Sequence, residues 1–169
     1  MQIELLTTAN IPAVAALMHR LRPDTWEVDD AIAHLGTGIG WAITNDSRHP
    51  TGWVLCTWHE TYRIGEIIGL GAEERGHYTI GPALAPLLNQ CVLWAQERQA
   101  RYLSYIIGSR GFTCHLRPLG PIGEELQKLK ATNRPEYQWW SAQGFSPVGM
   151  LPEIHGRGYH GIMLIRPIS

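Results

Sequence analysis

Residues 133–145 read NRPEYQWWSAQGF. Asn133-Arg134-Pro135 opens a helix, because a proline near the first helical position loses no hydrogen bond by lacking its N–H. Gly144 closes it as a left-handed C-terminal residue. Trp139 and Trp140 are adjacent on that helix, so one is expected in the core and the other beside a cleft. Beyond Phe145, Ser146–Ile154 and Tyr159–Arg166 read as two strands around Gly156-Arg157-Gly158, a β-hairpin by its glycines.

Reading back toward the N-terminus, Tyr102–Ile107 is a short strand, apolar except for Ser104. A helix precedes it, ending near Gln99, with Leu84, Leu87, Leu88, Cys91 and Ala95 as its apolar stripe. Pro86 is tolerated there only if the helix proper begins near Leu84. Gly71–Gly81 is polar and rich in turn residues. Trp53–His59 and Gly65–Leu70 read as strands, as does Trp41–Thr44. Trp53 and Trp58, five apart, face opposite sides of their strand. Val28–Leu35 is helical and closed by Gly36. Ile11, Val14, Ala15, Met18 and Leu21 mark the first helix, with Asn10 as its cap and Pro23 as its stop. Residues 2–7 supply a first strand. The glycines at 36, 38 and 40 lead into a strand rather than a helix, so they read as a turn and not as a phosphate loop. This order predicts an α/β (α+β) fold: one domain over residues 1–169, with a mixed, mostly antiparallel sheet of about seven strands and helices on both faces.

Composition narrows the function classes. Fourteen basic and fifteen acidic residues give a formal charge of −1, which argues against a nucleic-acid surface. Hydrophobic residues make up 44%, too many for a disordered chain. No apolar run is long enough to span a membrane. Cys56, Cys91 and Cys114 are widely spaced with no C-x-x-C pair, which argues against a zinc ribbon and for a reducing, cytoplasmic setting. The eight histidines show no spacing that puts two ligands on one helix face, so no metal site is expected.

The element order, together with Asn133, Trp140, Gly144 and Phe145 at their spacing, resembles the GCN5-related N-acetyltransferase (GNAT) superfamily. Pro147-Val148-Gly149 is similar to the start of the family's closing hairpin, and LLTTANIPAVAALM at residues 5–18 to its first strand and helix. The resemblance covers about residues 2–166. Between the central strand and the next helix the family carries Arg/Gln-x-x-Gly-x-Gly/Ala. Here Arg75-Gly76-His77-Tyr78-Thr79-Ile80-Gly81 stands in that place, with Thr79 where the first glycine is expected.

The resemblance implies acetyl-CoA as co-substrate and acyl transfer to an amine of a small-molecule or peptide acceptor. Gly76, His77, Tyr78, Thr79, Ile80 and Gly81 would then form a phosphate loop, working through backbone N–H groups and the helix dipole. The alternative is a plain strand-to-helix turn. Pro82 removes one donor in either case. Direct attack needs a neutral amine, hence a base, and Glu66 is the candidate; an exposed strand carboxylate is the competing reading. A backbone N–H around Leu70–Ala72 would stabilise the oxyanion. Asn133 would bind the pantetheine amides, or merely cap its helix. Trp140 stands where many members have a tyrosine acid, and an indole N–H cannot give up its proton usefully. Tyr137, one helical turn earlier, is the candidate substitute.

Residues 110–132 form a long link, and such links are often lids or binding loops. An acceptor-shaping role and a subunit contact are both open, as is a homodimer through the final strand. The degenerate loop and the missing tyrosine leave a second reading: a GNAT-like acyl-CoA-binding or sensor domain without efficient catalysis.

Overall fold

Helix α1 (Ile11–Leu21) buries Val14, Ala15, Leu17 and Met18, the face its apolar spacing marks. Asn10 holds the capping position as expected but makes no side-chain bond to the helix; its Oδ1 accepts the Thr7 N–H at 2.8 Å and its Nδ2 donates to the Leu5 carbonyl at 2.9 Å, closing the turn from strand β1 (Gln2–Leu5). The computed structural model describes residues 1–168. After α1 come α2 (Val28–Leu35), β2 (Ile39–Thr44), β3 (Pro50–His59) and β4 (Ile64–Glu74). A short β5 (His77–Thr79), a 3₁₀ turn (Pro82–Leu84) and α3 (Ala85–Glu97) follow. The chain ends with β6 (Tyr102–Gly108), α4 (Ile122–Lys128), α5 (Pro135–Ala142), β7 (Ser146–Leu151) and β8 (Gly161–Pro167).

The eight strands form one sheet in the order β1-β2-β3-β4-β6-β8-β7, with β5 paired to β4. All pairings are antiparallel except β4 with β6. The fold is the expected mixed, mostly antiparallel sheet with helices on both faces, enlarged by β5. Trp53 and Trp58 do face opposite ways: Trp53 packs with α1 and α2, and Trp58 packs edge-on against Trp94 of α3, ring centroids 6.1 Å apart. The larger core lies between the sheet and α3 and α5.

Two local features differ from the sequence expectation. Gly71–Gly81 is not a loop. β4 runs on to Glu74, and Arg75 and Gly76, with φ of 53° and 81°, turn it back into β5. Both central residues at positive φ are the signature of a two-residue hairpin turn. Trp140 does not border a cleft, and neither does Trp139. Trp140 is fully buried, stacked on Tyr105 at 4.5 Å and edge-on to Phe145 at 4.7 Å. Gly144 ends α5 as expected, at φ 83°, and lets the Phe145 N–H reach the Trp140 carbonyl at 3.1 Å.

Candidate active site

The parallel pairing of β4 with β6 runs only from Ile64 opposite Tyr102 to Ile67 opposite Tyr105. Beyond that point the strands diverge. β4 turns away because it carries a bulge: Gly69 pairs with Leu55 and Ile67 with Cys56, which leaves Ile68 without a partner on β3. A bulge bends and twists its strand, and here it opens a fork in the middle of the sheet.

A cleft of about 320 Å³ occupies the fork. Its walls come from Met18 of α1, Arg22 at that helix's C-terminal cap, Trp26, His34 of α2, Trp53 of β3 and Tyr78 of β5. β4 supplies Glu66–Leu70, β6 supplies Tyr105 and Ile106, and the β7–β8 connection supplies Ile154 and His155. Glycines keep it open. A Cβ on Gly69 would stand 3.0 Å from His34 Nε2, and one on Gly71 would stand 2.6 Å from Trp53 Cη2 and overlap the Tyr78 ring.

The polar groups of the cleft are few. Glu66, half-buried, is bonded to His59 Nε2 at 2.6 Å. The Tyr78 hydroxyl donates to the Leu70 carbonyl at 2.9 Å. Burial pushes the Tyr78 phenol up to about 12, outweighing the nearby Arg22 charge, so the hydroxyl remains a donor. In an antiparallel ladder a residue's N–H and C=O point to the same side. Leu70 therefore turns its N–H toward the fork as well, where β6 no longer pairs. Burial holds the His34 imidazole below its ordinary range, and its Nε2 has no partner among the described residues. Burial also pushes the Tyr105 phenol well up.

Of the residues singled out from the sequence, the structure brings Glu66, Leu70 and Tyr78 together at the cleft. Ala72 lies deeper, paired to both Gly52 and Thr79. Gly76 and His77 sit at the exposed tip of the β4–β5 hairpin, and Thr79 is a strand residue. The continuous phosphate loop read from residues 76–81 is thus reduced to Ile80 and Gly81, because hairpin pairing has taken the rest. The start of α3 offers few donors. Pro82 and Pro86 have no N–H, and those of Leu84 and Ala85 bond the carbonyls of Gly81 and Pro82.

Tyr137, the candidate acid, lies outside the cleft, edge-on to Phe112 at 5.0 Å. Asn133 is exposed, and Arg134, not Asn133, holds the capping position of α5. Arg134 binds the carbonyls of Gly108 and Arg110 and, at 2.7 Å, Glu136. No residue of the 110–132 segment lines the cleft. It docks on the β7–β8 connection instead: the Leu116 N–H bonds the Gly158 carbonyl at 3.0 Å, and His160 Nε2 lies 2.8 Å from the Arg117 carbonyl. The Glu153 N–H donates to His160 Nδ1, which puts the ring proton on Nε2.

Sequence reasoning missed Arg22, Trp26, His34 and His155 as cleft residues. They stand at a helix end, in a connection, on a helix and in a loop, and no spacing rule links them. Among the described residues no group of three or more His, Cys, Asp or Glu could hold a metal ion, and no helix is long and apolar enough to cross a membrane.

No protein-family model matches the chain, and no curated protein matches it by sequence. Solved structures do. The aminoglycoside 6'-N-acetyltransferase from Enterococcus faecium aligns with a TM-score of 0.78 at 17% identity, covering 100% of this chain and 98% of that one. An aminoglycoside 6'-N-acetyltransferase complexed with coenzyme A aligns at 0.82 and 14%, over 100% and 98%. The ribosomal-protein-S18-alanine N-acetyltransferase from Escherichia coli aligns at 0.64 and 14%, over 99% and 94%. At such identities the shared property is the fold.

Proposed function

Because this chain has the fold of the GCN5-related N-acetyltransferases, we propose that it transfers an acetyl group from acetyl-CoA to an amine. The observation that carries this reading is the fork between β4 and β6. It is an opening between two strands of the sheet, lined by one carboxylate, a main-chain donor and apolar walls.

The residues divide the work by position. Glu66 accepts a proton from the acceptor ammonium, directly or through a water, and so exposes the nitrogen lone pair. His59 orients the Glu66 carboxylate through their 2.6 Å contact. The Leu70 N–H, aimed into the fork, donates to the oxygen that gains charge as the amine attacks the thioester carbonyl. Met18, Trp26, Trp53 and Ile106 keep bulk water from the reacting atoms. Acetyl-CoA supplies the activated acyl thioester. With Tyr137 turned away to Phe112, the departing thiolate takes its proton from solvent. Gly81 beside the short donor set at the start of α3 would hold the phosphates, and Asn133, which is exposed, would bind the pantetheine amides.

That sparse donor set favours one competing reading: an acyl-CoA-binding domain without turnover. Thermal shift with acetyl-CoA and thiol release over an amine panel separate the two. A ligand bound at a hundredfold its Kd stabilises the native state by about 2.7 kcal/mol. A shift with thiol release supports the transferase, and a shift without release supports the binding domain. No shift at millimolar acetyl-CoA overturns both.

A further inference from the structure

The lining of the cleft contains one cation that no carboxylate neutralises. Arg22, at the end of α1, lies with its guanidinium carbon 4.9 Å from the centre of the Tyr78 ring. One of its nitrogens bonds Thr25 Oγ1 at 3.1 Å. Among the described residues it has no acidic partner within salt-bridge distance. Arg20, two positions earlier in the last turn of α1, makes the contrast: Glu73 grips it with both oxygens, at 2.6 and 2.8 Å. Arg22, itself exposed, thus stands at the rim of the cleft with most of its planar donor fork unbonded to protein, and such a fork matches a carboxylate in a bidentate geometry.

The rest of the cleft defines the body of the ligand. Trp26, Trp53 and Tyr78 give aromatic walls, and Met18, Ile67, Ile106 and Ile154 give aliphatic ones. The volume, about 320 Å³, is at the small end for ligand sites. Glu66 is the single acidic side chain in the lining, and His59 already holds it. A polycationic acceptor would need several carboxylates and would meet Arg22 as a like charge.

We infer that the acceptor is a small primary amine that carries a carboxylate on an apolar or aromatic body, the chemistry of a hydrophobic α-amino acid. This inference rests on the proposed transferase reading. Arg22 binds the carboxylate, the aromatic walls take the side chain, and the amine is left toward Glu66. Arg22 is then a specificity-determining residue.

The test compares thiol release from acetyl-CoA with phenylalanine, tryptophan and leucine against phenethylamine, tryptamine and isoamylamine, which lack only the carboxylate. Acetyl-CoA binding is followed separately by thermal shift. The expected result is a kcat/KM at least about tenfold higher for each amino acid than for its decarboxylated twin, carried mainly by KM, since hydrogen bonds to charged groups are the strong ones. Arg22→Met collapses that ratio toward one. Arg22→Lys restores part of it, and Arg20→Met, outside the cleft, retains it. A ratio near one in the unmodified protein overturns the inference and leaves the transferase reading standing. Acetyl-CoA binding with no release from any of the six amines also overturns the inference, in favour of the binding domain. Absence of both binding and release overturns the inference and the transferase reading together.

Discussion

The Tyr78 hydroxyl, on a three-residue strand, donates to the Leu70 carbonyl at 2.9 Å across the mouth of the fork. This bond ties β5 to the length of β4 that β6 no longer flanks and fixes which way the Leu70 peptide faces. Tyr78→Phe removes the donor and keeps the ring against Trp53, 6.1 Å away between centroids. A carbonyl left without its partner costs about 1–2 kcal/mol. Denaturant unfolding should show a loss of that size. Under the transferase reading, kcat should fall further than KM for acetyl-CoA rises. An unchanged kcat would mean that the Leu70 peptide does not depend on this bond.

Gly71 lies on the same strand and faces Trp53. A Cβ there would stand 2.6 Å from Trp53 Cη2 and inside the Tyr78 ring contact. Both neighbours are large and held on strands, so neither can move far. Gly71→Ala should destabilise by about 1–3 kcal/mol, the range for overpacking, and displace Tyr78 from the cleft wall. Gly123→Ala is the comparison, since a Cβ on Gly123 meets nothing within 4 Å. Equal melting temperatures for the two variants would contradict the packing argument.

These two residues also show how far the sequence could be read. The spacing of α1 and the proline and glycine end signals of α5 were legible, and so was the pairing of the closing strands, although these stop at Leu151 and resume at Gly161 instead of turning tightly at Gly156-Arg157-Gly158. β5 was not. His77-Tyr78-Thr79 are good strand residues, but three of them after Arg75-Gly76 carry too little pattern to compete with a loop reading. The bulge at Ile68 leaves no mark, since it depends on register against β3 rather than on residue type. The spacing of Trp140 from Asn133 puts it where the resemblance implies a tyrosine beside the ligand, while its burial is set by Tyr105 and Phe145, which are distant in sequence or beyond the helix end. Glu66 was legible as a candidate only through the resemblance, which implies a carboxylate on the strand that leads to the loop. Arg22 was not, because its significance lies in a missing partner, visible only in three dimensions.

Glu66→Gln keeps shape and removes the base. Its half-buried position and its contact with His59 make it a poor site for large rearrangement. Under the transferase reading, kcat should fall by about 10²–10⁴, the usual worth of a positioned base, with acetyl-CoA binding retained. His59→Ala should have a smaller effect, because it frees the carboxylate without deleting it. Should Glu66→Gln retain full kcat over the neutral to alkaline range, the base lies elsewhere.

Glu125 gives a prediction with a defined pH window. Arg117 binds it through both oxygens, at 2.9 and 2.5 Å, and the Gly120 N–H adds a third bond at 2.8 Å. Arg117 first, and Gly120 second, hold its carboxyl at about 2, against an ordinary value of 4.5. A depressed carboxyl stabilises the folded state fully above its unfolded value and loses that contribution as pH falls toward the folded one. The stability gap between the unmodified protein and Glu125→Gln should therefore be constant at neutral pH, shrink below the ordinary carboxylate range, and close by about pH 2. Urea unfolding of both proteins across that range measures it, and a gap that does not change with pH would refute the assignment. The same variant has a functional readout. Leu116 and Arg117 grip the connection that carries Ile154 and His155 into the cleft. Loosening that grip should raise the acceptor KM while acetyl-CoA binding is kept, because no residue of 110–132 lines the fork itself.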